Sequence, residues 1–82
     1  DALILDLRRN GGGVNAGMIL AGHLLPPGSP LSGTWDRPSG RHVHAVSPDW
    51  VPGRRFGDRK PVIILVSRAT FSAAEALAYD LQ

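Results

Sequence analysis

The chain predicts an α/β fold in which two parallel strands each lead through a tight turn into a helix. Two short apolar runs, Asp1 to Leu7 (DALILDL) and Pro61 to Ser67 (PVIILVS), have the length and near-continuous hydrophobicity of strands buried on both faces. Each run is followed by turn residues and then by apolar residues at helical spacing. The segment between them is long enough to carry the chain back for parallel pairing through right-handed crossovers. This order places both turns at the carboxyl ends of the strands, the edge of an open α/β sheet where sites gather.

In the first strand, Asp6 interrupts the apolar run, and Arg8, two residues on and on the same face, is its expected partner. Asn10-Gly11-Gly12-Gly13 then breaks the strand, because glycine accepts left-handed backbone angles and lets other groups approach the main chain. Val14 to Leu25 is the first helix: Val14, Met18, Ala21 and Leu25 keep helical spacing, and Ile19, Leu20 and Leu24 widen the stripe until little polar face remains. Such a helix lies between layers, or covers surface that further parts of a larger protein fill. Gly22 inside it either weakens the helix or marks a close contact. Pro26-Pro27-Gly28 ends it.

Ser29 to Lys60 is irregular, with a hairpin expected from Leu31 to Asp36 and Arg41 to Val46 across Arg37-Pro38-Ser39-Gly40. The following loop, Ser47 to Lys60, is expected to be pinned by Trp50 and Phe56. After the second strand, Ser72 to Gln82 forms the second helix, with Ala73, Ala74, Leu77, Ala78 and Leu81 inward.

Eighty-two residues make one small domain or part of one. The chain opens inside a predicted strand and stops inside a predicted helix, so residues 1–82 are expected to be a single fragment of a larger domain. The absence of cysteine excludes a disulfide framework and thiolate metal sites. No run has the length of a membrane span, and nothing resembles a signal peptide. The net charge is only +2, and the basic pairs Arg8-Arg9, Arg54-Arg55 and Arg59-Lys60 form no stripe with interleaved aromatics, which argues against a nucleic-acid partner.

Two turns carry the chemistry. Ser72-Ala73-Ala74-Glu75 fits the S-x-x-E capping box, and taken alone the motif favours a helix cap: Ser72 accepting from the Glu75 amide, Glu75 reaching back. The same hydroxyl, at the positive end of a helix dipole, could instead serve as a nucleophile. Gly11, Gly13 and Gly17 resemble a dinucleotide-binding loop, but the second strand ending in an acidic residue is missing, so no cofactor is expected. His42 and His44, two apart on a strand, read as a surface pair, and His23 as a packed or rim histidine; no metal is expected. Placed side by side, a serine hydroxyl and a glycine turn with open backbone N–H groups supply a nucleophile and oxyanion donors, the two needs of acyl transfer.

The residues that carry this arrangement also carry a resemblance. Leu3-Ile4-Leu5-Asp6-Leu7-Arg8-Arg9-Asn10-Gly11-Gly12-Gly13 resembles the D-[LV]-R-x-N-x-G-G segment of the C-terminal processing (tail-specific) serine peptidases. Thr70-Phe71-Ser72-Ala73-Ala74-Glu75, continuing to Ala78-Tyr79-Asp80-Leu81-Gln82, resembles their nucleophile segment. The wording is nearest the branch that contains the interphotoreceptor retinoid-binding protein repeats and the tricorn core protease, as are Trp50, Gly53, Arg54, Phe56 and Gly57 ahead of Lys60-Pro61-Val62.

The resemblance implies a ClpP/crotonase-like domain of which this chain is the central part, acting on peptide or protein substrates and completed by the remaining domains of the parent chain. It implies Ser72 as nucleophile, with the amide of Ala73 and that of Gly12 or Gly13 as the oxyanion hole. The general base does not carry over. Tail-specific peptidases use a lysine after the serine helix, whereas Lys60, the only lysine, precedes it. Tricorn-like relatives use an upstream histidine, which none of His23, His42 or His44 matches, and a downstream glutamate. The 82 residues alone are therefore expected to be inactive. The alternative is a retinoid- or fatty-acid-type binding module on the same scaffold, with the apolar first helix as a wall and Ser72 only a cap.

Overall fold

A computed structural model of the chain describes residues 1–14 and 16–82. Its elements run β1 (Leu3–Asp6), α1 (Ala16–Leu24), β2 (Pro30–Asp36), β3 (Arg41–Val46), β4 (Val62–Leu65) and α2 (Ala73–Asp80). The expected parallel pair forms, with Leu3 opposite Val62 through to Asp6 opposite Leu65. The ladder extends at both ends through Leu3 N–H to the Pro61 carbonyl (3.0 Å) and Leu7 N–H to the Leu65 carbonyl (2.8 Å).

The strands are covered on one face only, contrary to the expectation of burial on both. Leu7 is buried with Ala21 of α1 and Leu77 of α2, and Leu5, Ile64 and Leu31 pack on that cluster. Side chains alternate along a strand, so Ile4 and its partner Ile63 point the other way and remain 63% and 50% exposed.

Helix α1 begins two residues later than its apolar pattern suggested; Asn15, within the expected span, lies outside the described residues. Its buried residues are Ala21, Gly22 and Leu24, while Val14 and Met18 of the expected stripe are exposed. Gly22 proves to be a packing contact: a Cβ there would lie 2.6 Å from Pro48 Cγ and Val51 Cγ1. That contact, and not Trp50, pins the loop 47–60. Val51 is buried against the helix, whereas Trp50 is 75% exposed.

Arg55 completes the clamp by donating to the Gly22 and Leu25 carbonyls at the end of α1 and to the Pro48 and Asp49 carbonyls, both at 3.0 Å. A guanidinium suits this position because it satisfies helix carbonyls left without intrahelical partners and complements the negative end of the dipole. Phe56 is half-buried and carries the Lys60 ammonium 4.5 Å from its ring centroid.

The hairpin β2–β3 forms as expected and is a separate antiparallel sheet. Its register slips between Leu31 and Thr34, where Gly33 lies so close to β3 that a Cβ would sit 2.7 Å from the Val43 carbonyl. The slip turns Ser32 towards α2, and Asp80 accepts from the Ser32 N–H (2.6 Å) and hydroxyl (3.1 Å). On the hairpin itself, the His42 ring lies 5.2 Å from Trp35 and 5.5 Å from His44, so the two histidines share an exposed face.

Helix α2 keeps the predicted inner side, with Ala74 and Leu77 buried and Ala73, Ala78 and Leu81 half-buried. Among the described residues no helix is long and apolar enough to cross a membrane, and no cluster of three metal-ligating side chains forms.

Candidate active site

Both parallel strands leave the sheet through the same local device. After β1, Asn10 N–H returns to the Leu7 carbonyl at 3.1 Å; after β4, Thr70 N–H returns to the Ser67 carbonyl at 3.1 Å. The sheet ladder has stopped by then, and side chains take over the task of joining the two strands. The buried Thr70 hydroxyl donates to the Leu7 carbonyl (2.7 Å) and accepts from Ser67 N–H (2.9 Å). Ser67 donates its hydroxyl to the Arg8 carbonyl, and Phe71 N–H donates to the Asn10 carbonyl at 3.1 Å. Buried polar groups need such partners, and these bonds lock one turn to the other.

The lock brings Gly12 against Ser72. A Cβ on Gly12 would meet Ser72 Cβ at 2.7 Å, the Phe71 carbonyl at 2.8 Å and Ala73 N at 3.0 Å, and Gly12 has φ +99°. Only glycine fits, on both counts. The Asn10 side chain fixes the same turn, its Oδ1 accepting from Gly12 N–H at 2.9 Å. Neither Gly13 N–H nor Ala73 N–H makes a hydrogen bond among the described residues.

Ser72 is the one described non-glycine residue with positive φ, at φ 56° and ψ −124°. Such a conformation costs on the order of 1–3 kcal/mol and persists only where surrounding structure enforces it. Ser72 and Glu75 are arranged as a capping box, and Ser72 N–H donates to Glu75 Oε2 at 2.8 Å, but the Ser72 hydroxyl makes no side-chain cap bond. A capping serine is ordinarily extended, whereas Ser72 holds its place in the box at positive φ. The hydroxyl is exposed at the start of α2, a strand–turn–helix corner of the kind that presents nucleophiles.

A cleft of about 610 Å³ adjoins this corner, lined by Gly12, Gly13 and Val14 of the glycine turn, Ala73 and Leu77 of α2, and Leu20 of α1. Asp6 and Asn10 also line this open cleft, so its wall mixes apolar side chains with polar ones.

A model of peptidase family S41 matches residues 1–82. The chain belongs to peptidase family S41. The resemblance to the C-terminal processing serine peptidases agrees with that family, and membership implies peptide or protein substrates.

The S41 match covers all four residues singled out from the sequence, and the structure brings Gly12, Gly13, Ser72 and Ala73 together at one edge. No histidine or lysine joins them. His23 Nδ1 donates to the Arg54 carbonyl (3.1 Å) at the other end of α1, and Lys60 stands at the amino end of β4, roughly 13 Å of strand from the serine edge at about 3.3 Å per residue.

Asp6 and Arg8, beside the same edge, form the expected ion pair, with Nε to Oδ1 at 2.9 Å and Nη2 to Oδ2 at 2.7 Å. The Arg8 side-chain hydrogen bonds, and then its backbone N–H, hold the Asp6 carboxyl down to about 2 from 3.8, and the same contact raises the Arg8 guanidinium. Sequence reasoning did not single out Thr70, Ser67 or the Asn10 side chain. Asn10 and Thr70 stand inside the two motifs and Ser67 just ahead of the second, but as small polar residues of a kind that turns use everywhere.

Proposed function

We propose that Ser72 is the nucleophile of a serine endopeptidase and that residues 1–82 form the central part of its ClpP/crotonase-like catalytic domain. The observation that carries this reading is the strained Ser72, its hydroxyl uncommitted, against Gly12 and next to the unengaged Ala73 and Gly13 amides. A serine needed only as a cap would adopt the extended backbone that lets it cap.

In the proposed reaction, Ser72 Oγ attacks the carbonyl carbon of the scissile peptide while its proton passes to a general base. The carbonyl oxygen becomes an oxyanion held by backbone N–H groups, the C–N bond breaks, and the amine leaves with the returned proton. Water then hydrolyses the acyl-enzyme. The base is assigned to a segment outside these residues, because the Ser72 hydroxyl bonds to no titratable group among the described residues. The 82-residue chain alone is therefore expected to be inactive. Family membership supports the peptidase reading and gives no support to the binding-module alternative.

The test is to treat the full-length protein with a fluorophosphonate and map the adduct by peptide mass. A single adduct on Ser72, lost in Ser72→Ala, is expected. An adduct elsewhere, or none in a preparation that cleaves peptides, would overturn the assignment.

A further inference from the structure

Asn10 has no part in the proposed reaction and yet bonds to both turns, with its side chain to the glycine turn and with its backbone to the turn that carries Ser72. Its Oδ1 accepts from Gly12 N–H at 2.9 Å, and its backbone carbonyl accepts from Phe71 N–H, the residue before Ser72, at 3.1 Å. Gly12 is one of the two glycine amides with a claim to the oxyanion, and its N–H is already committed. Gly13 N–H and Ala73 N–H make no hydrogen bond among the described residues. Gly12 cannot move away, since its α-carbon is wedged against Ser72 and Phe71.

We propose that Asn10 is a positioning residue that selects the oxyanion donors. By occupying the Gly12 amide it leaves Gly13 and Ala73 as the donor pair, and by holding Phe71 it sets that pair's distance from the Ser72 hydroxyl. This rests on the reading of Ser72 as nucleophile.

The physical reason lies in the sequence around it. Gly11, Gly12 and Gly13 are three consecutive residues with little conformational preference, and Gly12 and Gly13 lie at φ 99° and 151°. Donors on such a segment stabilise a developing charge only if they are already oriented, because reorganisation during the reaction cancels the gain. Nothing inside a triple glycine can orient it. An asparagine two residues ahead of Gly12 can, because its side-chain carbonyl mimics a backbone turn. The remaining bonds between the turns, from Thr70 to the Leu7 carbonyl and from Ser67 to the Arg8 carbonyl, join the strand ends but do not touch the glycines.

The experiment measures the second-order rate of fluorophosphonate labelling at Ser72 in the full-length protein, for wild type, Asn10→Ala and Asn10→Ser, beside each variant's melting temperature. The phosphoryl oxygen of the probe occupies the position of the oxyanion, so the rate reports the donors. Asn10→Ala is expected to slow labelling about tenfold or more, short of the roughly hundred- to thousandfold loss from deleting an oxyanion donor outright, with melting lowered by only a few degrees. Asn10→Ser keeps a weaker acceptor of the same turn type and is expected to recover part of the rate.

Labelling of Asn10→Ala at the wild-type rate would overturn the proposal. So would slowed labelling that tracks a large fall in melting temperature and is not recovered by serine, since that marks a role in folding alone. Failure of the wild type to label at Ser72 would instead overturn the nucleophile assignment, and this inference with it.

Discussion

The two strand exits of this chain start alike and end differently. Each closes a turn with a 3.1 Å backbone bond, Asn10 to Leu7 and Thr70 to Ser67, and each then needs left-handed backbone before its helix begins. After β1 that need falls on Gly12 and Gly13, where positive φ costs almost nothing but leaves the turn without intrinsic shape. After β4 it falls on Ser72, where positive φ is strained but carries a hydroxyl. The soft turn moulds itself to the strained one, and Asn10, Ser67 and Thr70 hold them together. Strain sits where a side chain is wanted, and freedom sits where side chains must be absent.

Substitutions in and beside the two turns probe that contrast, in descending order of expected effect. Gly12→Ala introduces a Cβ within 2.8 Å of Ser72 Cβ and the Phe71 carbonyl at φ 99°. Steric overlap and strained backbone together should cost about 3 kcal/mol or more. Denaturant unfolding should show this loss, while Gly11→Ala, with nothing within 4 Å, should change stability little. Comparable losses at the two positions would mean that the turn is not moulded to Ser72.

Thr70→Val keeps shape and removes both hydrogen bonds of a buried hydroxyl. A loss of about 2 kcal/mol is expected, because the Ser67 amide is left unpaired and the Leu7 carbonyl keeps only its bond from Asn10 N–H. Unfolding free energies would check it.

Ser72→Gly relieves the positive φ, and a stability gain of about 1 kcal/mol is expected, offset in part by the freer unfolded chain. Ser72→Ala should not show the roughly 1 kcal/mol loss of a true N-cap, because the hydroxyl makes no cap bond. Calorimetric melting of both variants checks the pair, and a clear loss in Ser72→Ala would restore the capping role.

The smallest effect concerns Asp6. Its folded-state carboxyl lies at about 2 against an ordinary 3.8. A depressed pKa contributes stability that is complete above the unfolded value and disappears as pH falls through the folded one. The difference between wild type and Asp6→Asn should therefore be constant above about pH 5 and shrink between roughly pH 4 and 2. A pH series of unfolding midpoints would show it. An unchanged difference at pH 2 would mean that the Arg8 contact is not formed in solution.

Much of this architecture was legible beforehand. Two apolar runs, each followed by a turn and a helical pattern, were enough for the parallel pair, and the α2 stripe was read correctly because its spacing is regular. The reading failed where a residue's role depends on what faces it. Trp50 looked like an anchor by size, but Val51 lies opposite the gap that Gly22 leaves, and burial follows the gap. Val14 and Met18 sat in the helical stripe of α1, yet the surface they would cover is not that of β1 and β4. The sequence gives Asp80 no partner, because the bulge that brings Ser32 to it leaves no local mark.

The sequence by itself determined the residue types at the two turns: three glycines after one strand, and T-F-S-A-A-E after the other. It left Ser72 with two roles, because a capping box and a nucleophile corner use the same letters. Tertiary structure set the backbone on which either role would act. The bonds between the turns press Gly12 against Ser72 and hold its backbone at φ 56°, and at that angle the hydroxyl makes no cap bond. A backbone angle enforced from 60 residues away in the chain cannot be read from local pattern, since it is set by contacts that exist only once β1 and β4 have paired.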